Sequence, residues 1–126
     1  MQYYTAMSYA NINRIAVIEP QELFIDYLVQ TLEAGGLQVV SATTKMEDAE
    51  LAALKLNTIL IDIAGSDASA FATLGRIRKA APNARLVVFG GNSSSAWRAG
   101  AWARNVNALL TENDGPTDFV AAARAA

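Results

Sequence analysis

The chain reads as one α/β domain built on a doubly wound parallel sheet, and three observations predict this. The run Thr58-Ile59-Leu60-Ile61-Asp62-Ile63 is apolar on successive residues up to a carboxylate, the pattern of a strand buried on both faces between layers of helices. Apolar runs of strand type alternate with stretches of helical period five times, the order that closes into right-handed crossover units. A chain of 126 residues with 52% hydrophobic and 17% charged side chains suits a single packed core and is too short for two.

Residues 1–13 carry no charge and include Tyr3, Tyr4 and Tyr9. They lack the basic start and apolar block of a secretion signal and read as a flexible leader to a domain over residues 14–126. Arg14–Ile18 is the first strand, ended by Glu19-Pro20, where proline offers no amide hydrogen to a ladder. Residues 21–34 place Leu23, Phe24, Tyr27, Leu28, Thr31 and Leu32 at the spacing of an amphipathic helix, and Gly35-Gly36 stops it. Residues 37–42 form the second strand. Residues 45–54, rich in alanine and glutamate, form a short helix that leads back to the central strand.

Beyond that strand, the spacing predicts a helix over 67–81 with Phe71, Leu74 and Ile77 inward. Arg76, Arg78 and Lys79 suit its negative end, and Pro82 lies just past it. Residues 86–89 are the fourth strand, followed by the loop Gly90-Gly91-Asn92. A weaker helix over 93–103 is interrupted by Gly100, Ala108–Leu110 is a brief fifth strand, and Pro116 opens a last helix at its favoured first position.

Composition excludes several functions. Cysteine is absent, which removes disulfides, thiolate zinc sites and thiol nucleophiles and fits a reducing cytoplasm. Histidine is absent too, which removes the commonest general base and metal ligand and every Ser-His pairing. A net charge of −2 argues against direct nucleic acid binding, which needs clustered cations. No apolar run approaches the roughly 20 residues of a membrane helix. Gly90-Gly91 lacks the surrounding pattern of a nucleotide cradle. Ser93, Ser94 and Ser95 have no histidine to activate them and read as a loop and a helix N-cap. Glu19 and Asp62 could in principle act as an acid/base pair, though so small a domain offers only a shallow pocket.

Nearly the whole chain from Ile15 to Ala125 resembles a bacterial response-regulator receiver domain, most closely the receivers of LuxR/NarL-type regulators. The resemblance rests on Ile15-Ala16-Val17-Ile18-Glu19-Pro20-Gln21-Glu22-Leu23-Phe24, on Ile59-Leu60-Ile61-Asp62-Ile63, and on the stretch from Leu74 through Ala81-Pro82-Asn83 to Phe89. It implies a flavodoxin-like sheet of order 2-1-3-4-5 with five helices. It also implies that Asp62 holds the place of the phosphoacceptor and that Glu19, Asp62 and Ala64 are what remains of a weak Mg2+ site. The supporting positions are altered. Pro20 replaces the second metal-binding acid, Gly90 the hydroxyl residue after the fourth strand, Thr111 the lysine and Ala108 the aromatic switch of the fifth strand. Glu22 and Glu112 are nearby acids whose simplest role is solvation.

The losses have a size. Mg2+ gives up water reluctantly and needs its carboxylates. Phosphoryl transfer is catalysed by positioning and counter-charge. At about 1.5 to 3 kcal/mol for each of the three deletions, transfer would slow by roughly three to six powers of ten.

Trp97 and Trp102 lie about 140° apart on one helix, so one of them should be at least half exposed. With Arg98 and Arg104 they are the candidates for a contact surface, against the alternative that the second tryptophan lies flat over one of those arginines. The sequence therefore predicts a non-enzymatic, cytoplasmic pseudo-receiver without cofactor, or with weakly held Mg2+. It would signal through protein partners such as an attached DNA-binding output domain, a histidine kinase or a second copy. The rivals are a working receiver phosphorylated on Asp62 and a small flavodoxin-like ligand-binding domain or enzyme.

Overall fold

The computed structural model describes residues 14–63, 68–90 and 94–124. The strands are β1 (Arg14–Ile18), β2 (Gln38–Thr43), β3 (Thr58–Ile63), β4 (Arg85–Gly90) and β5 (Ala108–Leu110). The helices are α1 (Glu22–Ala34), α2 (Asp48–Ala53), α3 (Ala68–Ala80), α4 (Ser95–Ala103) and α5 (Pro116–Ala123). All strand pairs are parallel and the sheet order is β2-β1-β3-β4-β5, as expected. No described helix is long and apolar enough to cross a membrane.

Alternation along the strands builds a core on each face. Ala16, Ile18, Ile59, Ile61, Leu86 and Val88 face the layer of α2, α3 and α4, meeting Leu51, Leu74 and Trp97. Ile15, Val17, Leu60 and Val87 face α1 and α5, meeting Leu28, Leu32 and Phe119. Helices on both faces explain why β3 reads as an unbroken apolar run.

The ends of the helices show why the sequence breaks where it does. After α1, Gly36 takes a φ of +85°. Its N–H donates to the Glu33 carbonyl and the Leu37 N–H to the Leu32 carbonyl, a complete Schellman closure. Leu37 is thereby spent on the cap, and β2 begins one residue later than expected. Asn105 (φ 61°) closes α4 in the same way, with Val106 N–H reaching the Ala101 carbonyl. The Ser94 hydroxyl caps the start of α4 by accepting from Trp97 N–H at 3.1 Å.

Three expectations are corrected. Leu23 does not belong to the inward stripe of α1. It is 91% exposed, because Phe24, Leu28 and Leu32 already define the face turned to the sheet. The helix expected over 45–54 is only Asp48–Ala53, since Met46 is drawn into the core and Glu47 N–H is taken by the Glu50 carboxylate at 3.4 Å. Gly100 does not interrupt α4. A Cβ there would lie 2.6 Å from Phe71 Cε1, so the glycine lets α3 and α4 close upon one another.

Arg78 fastens the opposite, amino-terminal edge of the sheet. Its Nη1 donates to the carbonyls of Ala81, Pro82 and Ala84, at 2.6 Å for Ala84, and its Nη2 donates to the Asn105 carbonyl and Asn107 Oδ1. The basic end of α3 thus satisfies the carbonyls of the turn that leads into β4 and joins that turn to the segment before β5.

Candidate functional site at the carboxyl edge of the sheet

β1 and β3 run side by side, so the residues that end them meet. Glu19 continues β1 by one step, its N–H donating to the Thr43 carbonyl at 2.9 Å. Its side chain is fully buried. Oε1 accepts from the Gln21 N–H at 3.0 Å, while Oε2 finds no hydrogen-bond partner among the described residues. Burial, reinforced by the neighbouring Asp62 carboxyl, pushes the Glu19 pKa up to about 7. The orphan oxygen and the raised pKa have one explanation. Two ionised carboxylates facing each other contain no donor, and a proton on Glu19 supplies one to Asp62.

Asp62 is partly buried and lies opposite Phe89 in β4, with Ile63 opposite Gly90. Gly90 has a φ of +93°. A Cβ built on it would collide with the Ile63 carbonyl oxygen and stand 2.8 Å from Asp62 Oδ1. The backbone at this position therefore rejects the hydroxyl-bearing residue that the resemblance would place there.

Thr111 turns to its own loop. Its N–H and hydroxyl donate to Asp114 Oδ2 at 2.7 and 3.4 Å, and its hydroxyl accepts from Asn113 N–H. Ala108 lies opposite Val87 and packs toward the α1 and α5 layer. Pro20 is exposed at the mouth, Glu22 and Glu112 are exposed, and Ala64 lies outside the described residues. Of the altered positions, Pro20 and Gly90 border the acidic pair, whereas Ala108 and Thr111 take up packing and turn roles.

The fit of a divalent ion follows from this donor set. Glu19 and Asp62 come together, but among the described residues no group of three acids assembles. Proline contributes no side-chain oxygen at the place of the second acid, so the described residues offer a divalent ion two carboxylates, one fewer than the resemblance implies.

Beside Asp62 opens a cleft of about 400 Å3, with Ile18, Met46 and Ile61 in its floor and Lys45, Thr73 and Arg76 along its sides. Sequence reasoning missed this. The one legible signal was that Lys45 follows the second strand, whose end lies at the same sheet edge.

Of the surface candidates, Trp97 is buried and stacked on Phe71 at 5.2 Å between ring centroids, which removes it as a contact residue. Trp102 is 44% exposed, slightly less than expected. Arg98 is exposed. Arg104 lies over Phe71 at 4.3 Å and donates to the Gly100 carbonyl, so it covers the phenylalanine and not the second tryptophan.

No family model and no curated protein matches the chain. Solved structures do. A pilus assembly-related protein from Burkholderia pseudomallei aligns with a TM-score of 0.73 at 18% identity, over 92% of this chain and 93% of the other. The signal receiver domain of the response regulator NarL from Mycobacterium tuberculosis aligns at 0.69 and 19%, over 89% and 93%. A LuxR-family DNA-binding response regulator from Staphylococcus aureus aligns at 0.70 and 16%, over 88% and 95%. The fold is that of response-regulator receiver domains.

Proposed function

We propose that this chain is a pseudo-receiver, a receiver fold that communicates through protein contacts with its phosphorylation chemistry dismantled. The observation that carries the reading is Gly90. Its backbone and its closeness to Asp62 leave no room for the side chain that would steady an acyl phosphate. The turn formed by Thr111 and Asp114 adds to it, because nothing at that position brings a cation toward Asp62. As a signalling module of this kind the chain works in the cytoplasm and acts on an attached or associated output unit. The likeness to LuxR-family regulators favours a DNA-binding output.

A second reading keeps the same chemistry in a different setting. The alignment with the Burkholderia pseudomallei pilus assembly-related protein, at a TM-score of 0.73, favours a module that docks components of a pilus apparatus.

Titration with beryllofluoride and Mg2+, followed by amide NMR, tests the shared claim. The expected result is no shift that depends on Asp62. A saturable shift abolished by Asp62→Asn would overturn it in favour of a receiver whose Asp62 is a competent phosphoacceptor.

A further inference from the structure

We propose that the cleft beside Asp62 binds a small molecule that has an apolar body and one anionic head group. The proposal goes beyond the pseudo-receiver reading and does not depend on it, since it concerns what enters the cleft and not whether Asp62 takes phosphate.

The place is set by topology. After β1 the chain crosses to the α1 face, and after β3 it crosses to the α3 face, so the connections part between these two strands and leave a crevice at their carboxyl ends. The cavity of about 400 Å3 sits there, between the lead into α2 and the face of α3 that carries Ser69, Thr73, Arg76 and Ile77. Its size lies within the roughly 300–1,000 Å3 of small-molecule sites.

Its chemistry is divided. The floor is apolar, made by Ile18 and Ile61 from the strands and by Met46 and Ile77 from the helical layer. The two cations stand on opposite lips, Lys45 before α2 and Arg76 on α3. Among the described residues each pairs with one surface acid. Lys45 Nζ is 3.8 Å from Glu47 and Arg76 Nε 3.2 Å from Asp48, with all four side chains more than half exposed. Exposed pairs of this kind contribute little and exchange readily for another anion. At the inner end, Asp62 with Glu19 behind it repels a negative head. A ligand with one anionic group is therefore oriented, its head between Lys45 and Arg76 and its body on the isoleucine floor. Once bound, it would tie the lead of α2 to α3.

The test is titration of the full chain with sodium octanoate, followed by amide NMR. Sodium acetate and 1-hexanol serve as probes of the head and the body alone. The expected result is a saturable shift at Met46, Thr73 and Ile77 with octanoate and binding at least about tenfold weaker with either comparator. Lys45→Met combined with Arg76→Met should weaken octanoate by about tenfold or more, and these exposed positions leave the fold intact. No saturation in the millimolar range, shifts that map elsewhere, or unchanged affinity in the double variant would each overturn the proposal.

Discussion

Gly90 and Asp62 are in such close register that a single added carbon on the glycine would stand 2.8 Å from the aspartate's Oδ1. Both come from neighbouring parallel strands, and the contact is fixed by the pairing of Ile63 with Gly90. The glycine therefore does more than lack a hydroxyl, because its absent side chain is a condition of this strand end.

Gly90→Ser should consequently destabilise the domain and not repair it. A side chain at a φ of +93°, aimed at a backbone carbonyl, should cost about 2 to 4 kcal/mol in urea unfolding. It should also leave the response to beryllofluoride unchanged. A neutral or stabilising effect would show that this edge is free to rearrange.

Glu19 makes stability depend on pH in a direction opposite to that of a salt-bridged acid. Its carboxyl titrates at an ordinary 4.5 in the unfolded chain and at about 7 in the fold. Between those values the folded state holds a proton that the unfolded state has released. The contribution of Glu19 is thus complete below about pH 4.5 and is lost as pH rises through 7, by at most about 3 kcal/mol. Glu19→Gln keeps an acceptor for the Gln21 N–H and supplies a permanent donor to Asp62. It should flatten the fall in stability between pH 5 and 8 and make the variant the more stable protein at pH 8. Chemical unfolding across that range checks it, and a wild-type profile without the fall would sink the assignment.

Arg78→Lys should behave as a severe substitution at a partly exposed site. A single ammonium cannot span three carbonyls at the end of α3 together with Asn105 and Asn107. A loss of about 2 to 4 kcal/mol is expected, with early hydrogen exchange at Leu86, whose N–H shares the Asn107 Oδ1 acceptor.

The two tryptophans should separate cleanly. Trp97→Ala empties a buried site stacked on Phe71 and should cost about 3 to 5 kcal/mol. Trp102→Ala, at a position 44% exposed, should cost under about 1 kcal/mol. Thermal unfolding of both variants decides whether the burial of α4 is as described.

The fold was legible because β3 and β4 are apolar without alternation and because Gly35-Gly36, Pro82 and Pro116 fall at helix ends, all local signals. Asp62 and Glu19 were legible as acids that end adjacent strands. Three things were hidden by their dependence on tertiary contact. The burial of Glu19 depends on β2 and on Asp62 closing around it. The role of Gly100 depends on where Phe71 arrives. The cleft depends on Lys45 and Arg76, which are 31 positions apart in the chain, coming to opposite lips. Leu23 misled for the converse reason, since helical spacing alone does not say which of two adjacent apolar residues a sheet will cover.

The last helix is tied down at its far end in a way that links distant parts of the molecule. The Thr58 hydroxyl donates to the Ala123 carbonyl, Arg85 Nε to the Ala122 carbonyl and Arg124 Nη2 to the Gly35 carbonyl. Thr58 opens the strand whose other end carries Asp62. A pull on α5 would thus bear on the foot of that strand and on its neighbour β4 together, with the sheet acting as a stiff lever between the base of the domain and its acidic rim.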